Sequence, residues 1–258
     1  MWYVEDEMET RKIIVIAIVV VVIVAGGFIL YWQREAILNS TKIGGQEQAQ
    51  DQAQPIAIQD QTITDNTNPF NISIRYPYTE GLDSFNQKVK NIIDTNIGEF
   101  KTISLQNDEA VKKVDPEGYA SYPRQYDLNI GYTKGQTDEN VISIVFEIYT
   151  FTGGAHGATN FLAFNYNPKT NSQIQLADLF DGQADYIQKI SDFCIPELEK
   201  QVTERLGSTE GTWVQDGASA SADNFSVFMR KKDSIIFFFQ QYQIAPYVAG
   251  DFQVVMPR

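Results

Sequence analysis

The sequence predicts an α+β fold: an antiparallel sheet packed against two main helices, preceded by an N-terminal transmembrane helix and a flexible tether. Three observations carry this expectation. An uncharged run, Ile13 to Leu30, opens the chain; a Gln-rich tract with no apolar period follows; and the remainder alternates segments of period two with two segments of helical period.

The run IIVIAIVVVVIVAGGFIL is followed at once by Tyr31 and Trp32. At ~1.5 Å per residue it nearly crosses a ~30 Å hydrocarbon layer, and the aromatic pair suits the interface at its far end. Residues 13–32 are therefore expected to be an anchor. A cleaved signal peptide fits less well, because five apolar residues follow the small-residue Val24-Ala25-Gly26 stretch. Arg11 and Lys12 at the end of a short tail, residues 1–12, vote for a cytoplasmic N-terminus. The expected location is the cell membrane, single-pass, with the C-terminal domain outside the cytoplasm.

Residues 33–61 include GGQEQAQDQAQP, too poor in apolar surface to offset the entropy of ordering, and read as a flexible tether. Ile72, Ile74 and Tyr76 then alternate as a strand. Asp83 reads as the N-cap of a helix whose apolar positions Phe85, Val89, Ile92, Ile93, Ile97 and Phe100 share one face. Tyr126 to Tyr132, the long run VISIVFEIYTF, about Thr159 to Asn167, and Gln173 to Leu176 read as four strands joined by short polar turns, an antiparallel meander. A second helix is expected from about Asp185 to Leu206, with Pro196 breaking or kinking it. FSVFM, SIIFFFQQYQI and FQVVMP read as further strands.

The net charge is −13 over 258 residues. Such a field repels phosphate backbones and argues against nucleic acid as a partner, while a cationic protein would be steered in. The same charge also serves solubility alone. One cysteine, Cys194, permits no internal disulfide, and one histidine, His156, removes every two-histidine zinc motif. No metal, cofactor or catalytic residue is predicted. There is no G-x-S-x-G elbow, P-loop or dinucleotide fingerprint. A Cys194–His156 dyad can be written, yet Cys194 lies on an apolar helical stripe, where an inert buried thiol is usual. His156 sits in Thr152-Gly153-Gly154-Ala155-His156-Gly157 between two strands, as a structural turn or a binding loop.

Two segments also carry a resemblance. ISIVFEIYTFTGGAHGATNFLAFNYNPKTNSQIQLADLF and IIFFFQQYQIAPYVAGDFQVVMP resemble the C-terminal domain of unknown function of RsiV-type anti-sigma factors. Residues 62–132 resemble the smaller domain that precedes it there and also occurs in PdaC-type peptidoglycan deacetylases. The resemblance places the C-terminal domain at 133–258 and implies an exported pair of domains that binds cell-envelope ligands, lysozyme in the RsiV branch. The short tail does not suit a sigma-factor partner, and no metal-dependent deacetylase domain is recognised in the sequence. The expected function is thus a non-catalytic binding or sensing domain for a peptidoglycan fragment or a lysozyme-like protein. A cell-wall hydrolase with an unidentified carboxylate pair, and a scaffold docking on another membrane protein, remain alternatives. The expected binding residues are Gly153, Gly154, His156, Pro246 and Tyr247. Tyr247 is a stiff aromatic with a polar tip, leaving a strand beside a proline, and its alternative role is a tyrosine lid over the core.

Overall fold

In the computed structural model, residues 53–121 and 124–258 are described, and they belong to one compact unit. The predicted anchor at 13–32 and the first part of the tether lie outside the described residues. Among the described residues no helix is long and apolar enough to cross a membrane.

Strands β1 (Gln59–Asp65), β2 (Phe70–Tyr78), β3 (Tyr126–Asp138), β4 (Val141–Phe151), β5 (Ala158–Asn167) and β6 (Ser172–Gln173) form one sheet in chain order. Between β2 and β3 come helices α1 (Asp83–Val114) and α2 (Pro116–Ser121). The expected meander is present from β3 to β6, all antiparallel. β2, however, pairs with β3 in parallel, Phe70 opposite Tyr126 and Ile74 opposite Ile130. A parallel neighbour needs a crossover connection, and α1 supplies it.

Period two sorts the side chains of this sheet. Ile72, Ile74, Leu128, Ile130, Ile144, Phe146 and Phe164 point to one face and close over Phe85, Val89, Ile93 and Phe100 of α1. Leu82, not Asp83, occupies the cap position, and Asp83 is the first helical residue. The helix continues past Phe100 to Val114, carried by good helix formers even though Ile103, Leu105 and Val114 stay exposed.

The expectation of one sheet is corrected. β7 (Phe228–Arg230), β8 (Ser234–Phe239) and β9 (Phe252–Pro257) form a second, antiparallel sheet of three strands. One of its faces packs Val227, Met229 and Phe238 on Val145 and Phe161 of the first sheet. The other packs Phe228, Ile235, Phe237, Phe239, Phe252 and Val254 against Ile190, Cys194, Leu198 and Val202 of α3 (Tyr186–Leu206). The layers therefore run helix, sheet, sheet, helix. α3 passes through Pro196 without interruption and ends at Gly207, whose φ of 81° provides the left-handed cap.

The sheets are also joined by polar groups. Ser143 Oγ donates to Asn165 Oδ1 at 2.6 Å, Asn165 Nδ2 donates to the Phe228 carbonyl at 3.0 Å, and Arg230 N donates to Ser143 Oγ at 2.8 Å. Ser143 and Asn165 are both buried. Close by, a Cβ at Gly135 would lie 2.2 Å from the Arg230 carbonyl, so the β3 backbone meets β7 where only glycine fits. The TKGQTDEN segment, expected as a connection, is mostly strand with an irregularity between Lys134 and Thr137.

Two expected boundaries move. The tether was placed up to Gln61, but Ile56 N donates to the Thr137 carbonyl, Thr79 Oγ1 donates to the Ala57 carbonyl, and Ile56 and Ile58 pack on the core. These residues fill the place beside the end of β3 that β2 leaves empty. The boundary expected at 132/133 falls inside β3, where hydrogen bonds continue on both sides to β4, so no domain ends there.

Candidate functional site

The β4–β5 connection turns at Gly153 and Gly154, with φ of 93° and 115°, conformations that favour glycine. Gly157 plays a different part: a Cβ there would run into the end of the Tyr149 ring, which lies against the loop backbone. The exposed His156 ring is thereby carried to the rim of the sheet. Its Nδ1 lies 2.9 Å from the Gly157 carbonyl. A carbonyl only accepts, so Nδ1 is the donor in this bond.

Beyond β8 the chain turns through Gln240–Tyr242, Tyr242 having φ of 66°, and reaches Pro246 and the single turn Tyr247–Ala249. Gln243 anchors this stretch by donating to the Gly217 and Asn224 carbonyls. Arg205, at the end of α3, donates to the Ala249 and Asp251 carbonyls. Ile244 and Ala245 are buried beneath.

These two distant segments meet. The Tyr247 and His156 rings stack with centroids 4.1 Å apart and planes at 27°, and the Tyr247 hydroxyl donates to the Gly157 carbonyl at 3.1 Å. Tyr242 extends the row, its ring centroid 5.7 Å from that of Tyr247. The Trp213 indole N–H fixes the Tyr242 backbone through its carbonyl. Of the five predicted residues, His156, Tyr247 and the Gly153–Gly154 turn form one surface, and Pro246 sets the entry of Tyr247. Tyr242, 53 % exposed, and Val248, 82 % exposed, were missed. A tyrosine in the polar stretch directly after an apolar strand was the available signal for Tyr242.

The shelf presents flat aromatic faces and the edge of one imidazole. Among the described residues no serine, cysteine or carboxylate hydrogen-bonds the His156 ring, and no three His, Cys, Asp or Glu side chains gather as metal ligands. Cys194 lies fully buried between α3 and the second sheet, its thiol pushed up to about 12 by burial and, secondarily, by Glu197. The Cys–His pairing does not form, and a thiol held protonated in this way is a poor nucleophile.

Residues 63–159 match the family model described as deacetylase PdaC, and residues 177–258 match that of a protein of unknown function, DUF3298. The junction thus falls around β5 and β6. The chain is 27 % identical over 199 residues to the peptidoglycan-N-acetylmuramic acid deacetylase PdaC of Bacillus subtilis, covering 76 % of this chain and 39 % of the deacetylase. It is 26 % identical over 144 residues to the immunogenic protein MPT64 of Mycobacterium tuberculosis, covering 54 % and 60 %. An esterase of the same organism is 27 % identical over 127 residues, covering 49 % and 53 %. The chain therefore spans less than two thirds of each of these relatives. A DUF3298 protein of Bacteroides fragilis shares the fold with a TM-score of 0.51 at 20 % identity, over 79 % of this chain and 92 % of that one. Another, of Pseudomonas aeruginosa, gives 0.50 at 12 % identity, over 80 % and 92 %.

Proposed function

We propose that this chain, a PdaC-type region followed by a DUF3298-type region, is a membrane-anchored, extracytoplasmic module that binds a cell-envelope ligand without turning it over. The ligand classes are a peptidoglycan fragment or a cationic, lysozyme-like protein. The observation that carries the reading is the aromatic shelf of His156, Tyr247 and Tyr242, rigidly supported from two loops and open to solvent. Stiff aromatics on supported loops dominate recognition energies. Among the described residues no nucleophilic side chain hydrogen-bonds the imidazole, as a nucleophile–base pair would require. The acidic field favours a cationic protein. The uncharged run at 13–32 supports the anchored placement.

The test is capture of the full chain by purified peptidoglycan and by immobilised lysozyme. Tyr242→Ala, at an exposed position, is expected to weaken capture at least tenfold while circular dichroism is unchanged. Release of acetate from acetylated glycan, or of alcohol from a model ester, that disappears in His156→Ala would establish a hydrolase instead and overturn the non-catalytic reading.

A further inference from the structure

A cleft of about 510 Å³ lies at the end of the molecule away from the aromatic shelf, between the end of β2 and the first turns of α1. Its floor follows from strand register. Gln61 of β1 lies opposite Tyr76 of β2, so their side chains share a face, and Tyr78, two residues on, shares it too. That face is the one that buries Ile72 and Ile74 further along β2; at Tyr76 and Tyr78 the cover of α1 opens and the rings are only half-buried. The wall is the polar stripe of the helix beside its buried one: Asp83, Asn86, Gln87 and Lys90.

Some of these groups are committed to the fold. Asn86 accepts from Thr79 N at 3.0 Å and donates to the Thr79 carbonyl at 2.7 Å, which clamps the turn from β2 into α1. Lys90 pairs with Asp94, and the Gln87 amide N–H bonds Asn91, leaving the Gln87 carbonyl oxygen free. Among the described residues no hydrogen bond engages the Tyr76 and Tyr78 hydroxyls, the Gln61 amide or the Asp83 carboxylate. Four side chains with wholly unengaged hydrogen-bonding groups, two of them aromatic, thus face one open cleft whose two charged residues are Asp83 and Lys90.

We infer that this cleft is a saccharide-binding site, taking a short uncharged oligosaccharide. Such ligands combine an apolar ring face, suited to the tyrosines, with peripheral hydroxyl and amide groups that both donate and accept, suited to Gln61, Asp83, Gln87 and the phenols. The volume lies in the range of small-molecule sites. Lys90, the cation in the lining, is already paired with Asp94, so an anionic ligand gains no advantage. The inference stands on this cleft alone and does not depend on the aromatic shelf.

The full chain is titrated calorimetrically with the N-acetylglucosamine trimer and with cellotriose. Saturable binding of at least one is expected, with preference for the first meaning that the acetamido group is read. Tyr76→Ala and Tyr78→Ala should each weaken it at least tenfold, and Tyr78→Phe, which keeps the ring, less than threefold. Gln61→Ala, at an exposed position that does not threaten folding, should weaken it severalfold, and Tyr242→Ala should leave it unchanged. No saturable binding of either sugar at millimolar concentration overturns the inference, as does binding that survives Gln61→Ala and both tyrosine truncations. Loss on Tyr242→Ala alone would overturn it in favour of the shelf.

Discussion

Replacing Tyr247 tests whether the shelf is held together energetically or is only an adjacency of rings. Tyr247→Phe removes the hydroxyl donated to the Gly157 carbonyl, a loss of about 1 kcal/mol for a partly buried bond. Tyr247→Ala also removes the stack on His156, worth about 0.5–1.5 kcal/mol, and some buried ring area, for a total of about 2–3 kcal/mol. In a domain of this size ~1 kcal/mol moves Tm by about 2–4 °C, so the expected drops are about 3 °C for Phe and about 8 °C for Ala. The assay is thermal and urea unfolding of residues 53–258, the described compact unit, for the four members of the His156→Ala, Tyr247→Ala cycle. The two substitutions should be non-additive by about 0.5–1.5 kcal/mol, because each removes the same stack. Additivity within about 0.3 kcal/mol would refute the reasoning and make the ring contact incidental.

Two further outcomes follow from the fold. A chain beginning at Gln61 lacks Ile56, Ile58 and the bond from Thr79 to Ala57, and should be less stable than one beginning at Ala53 by about 3 kcal/mol, read from urea midpoints; equal midpoints would return residues 53–60 to the tether. Asp65 is lowered to about 2 by Lys101 and by Thr67, and Asp108 is lowered by the Tyr119 and Tyr126 hydroxyls. A depressed carboxylate stabilises the fold above its unfolded value, near ~4, and that contribution is lost as pH falls through the folded value. Tm should therefore decline from pH 4 toward pH 2, and Asp65→Asn should flatten part of the decline; an identical profile in the variant would contradict the assignment.

Elements with a buried face and a more exposed face were legible: β2, the apolar stripe of α1, the first part of β3 and α3 all write their packing into a period. β1 does not, because QDQTITD lies at a sheet edge with most residues exposed, and a polar edge strand looks like a tether. The parallel pairing of β2 with β3 has no local signal, since the choice of neighbour is made by the docked helix. Division into two sheets was equally hidden, as both faces of β8 are apolar and a run such as SIIFFF fits a central strand of either arrangement. At the shelf, the glycines and Pro246 marked both loops correctly, but nothing in the sequence states that two loops ninety residues apart share one ring stack. The cleft went unread for the same reason, its floor and wall being separate elements whose polar residues look like ordinary solvated faces.

The hydrogen-bonded link from Ser143 through Asn165 to the Phe228 carbonyl has a mechanical consequence. Apolar contacts between stacked sheets are non-directional, and Val145, Phe161, Met229 and Phe238 alone would resist a small lateral slip only weakly. A directional bond buried among them acts as a detent. Sliding one sheet along the other would keep the Ser143–Asn165 bond, which lies within the first sheet, but would unpair the Asn165 amide N–H from the Phe228 carbonyl and the Arg230 N–H from Ser143, at a cost of about 1–3 kcal/mol for each buried group. The PdaC-matched and DUF3298-matched stretches are thereby keyed to each other by bonds that a lateral slip would have to break.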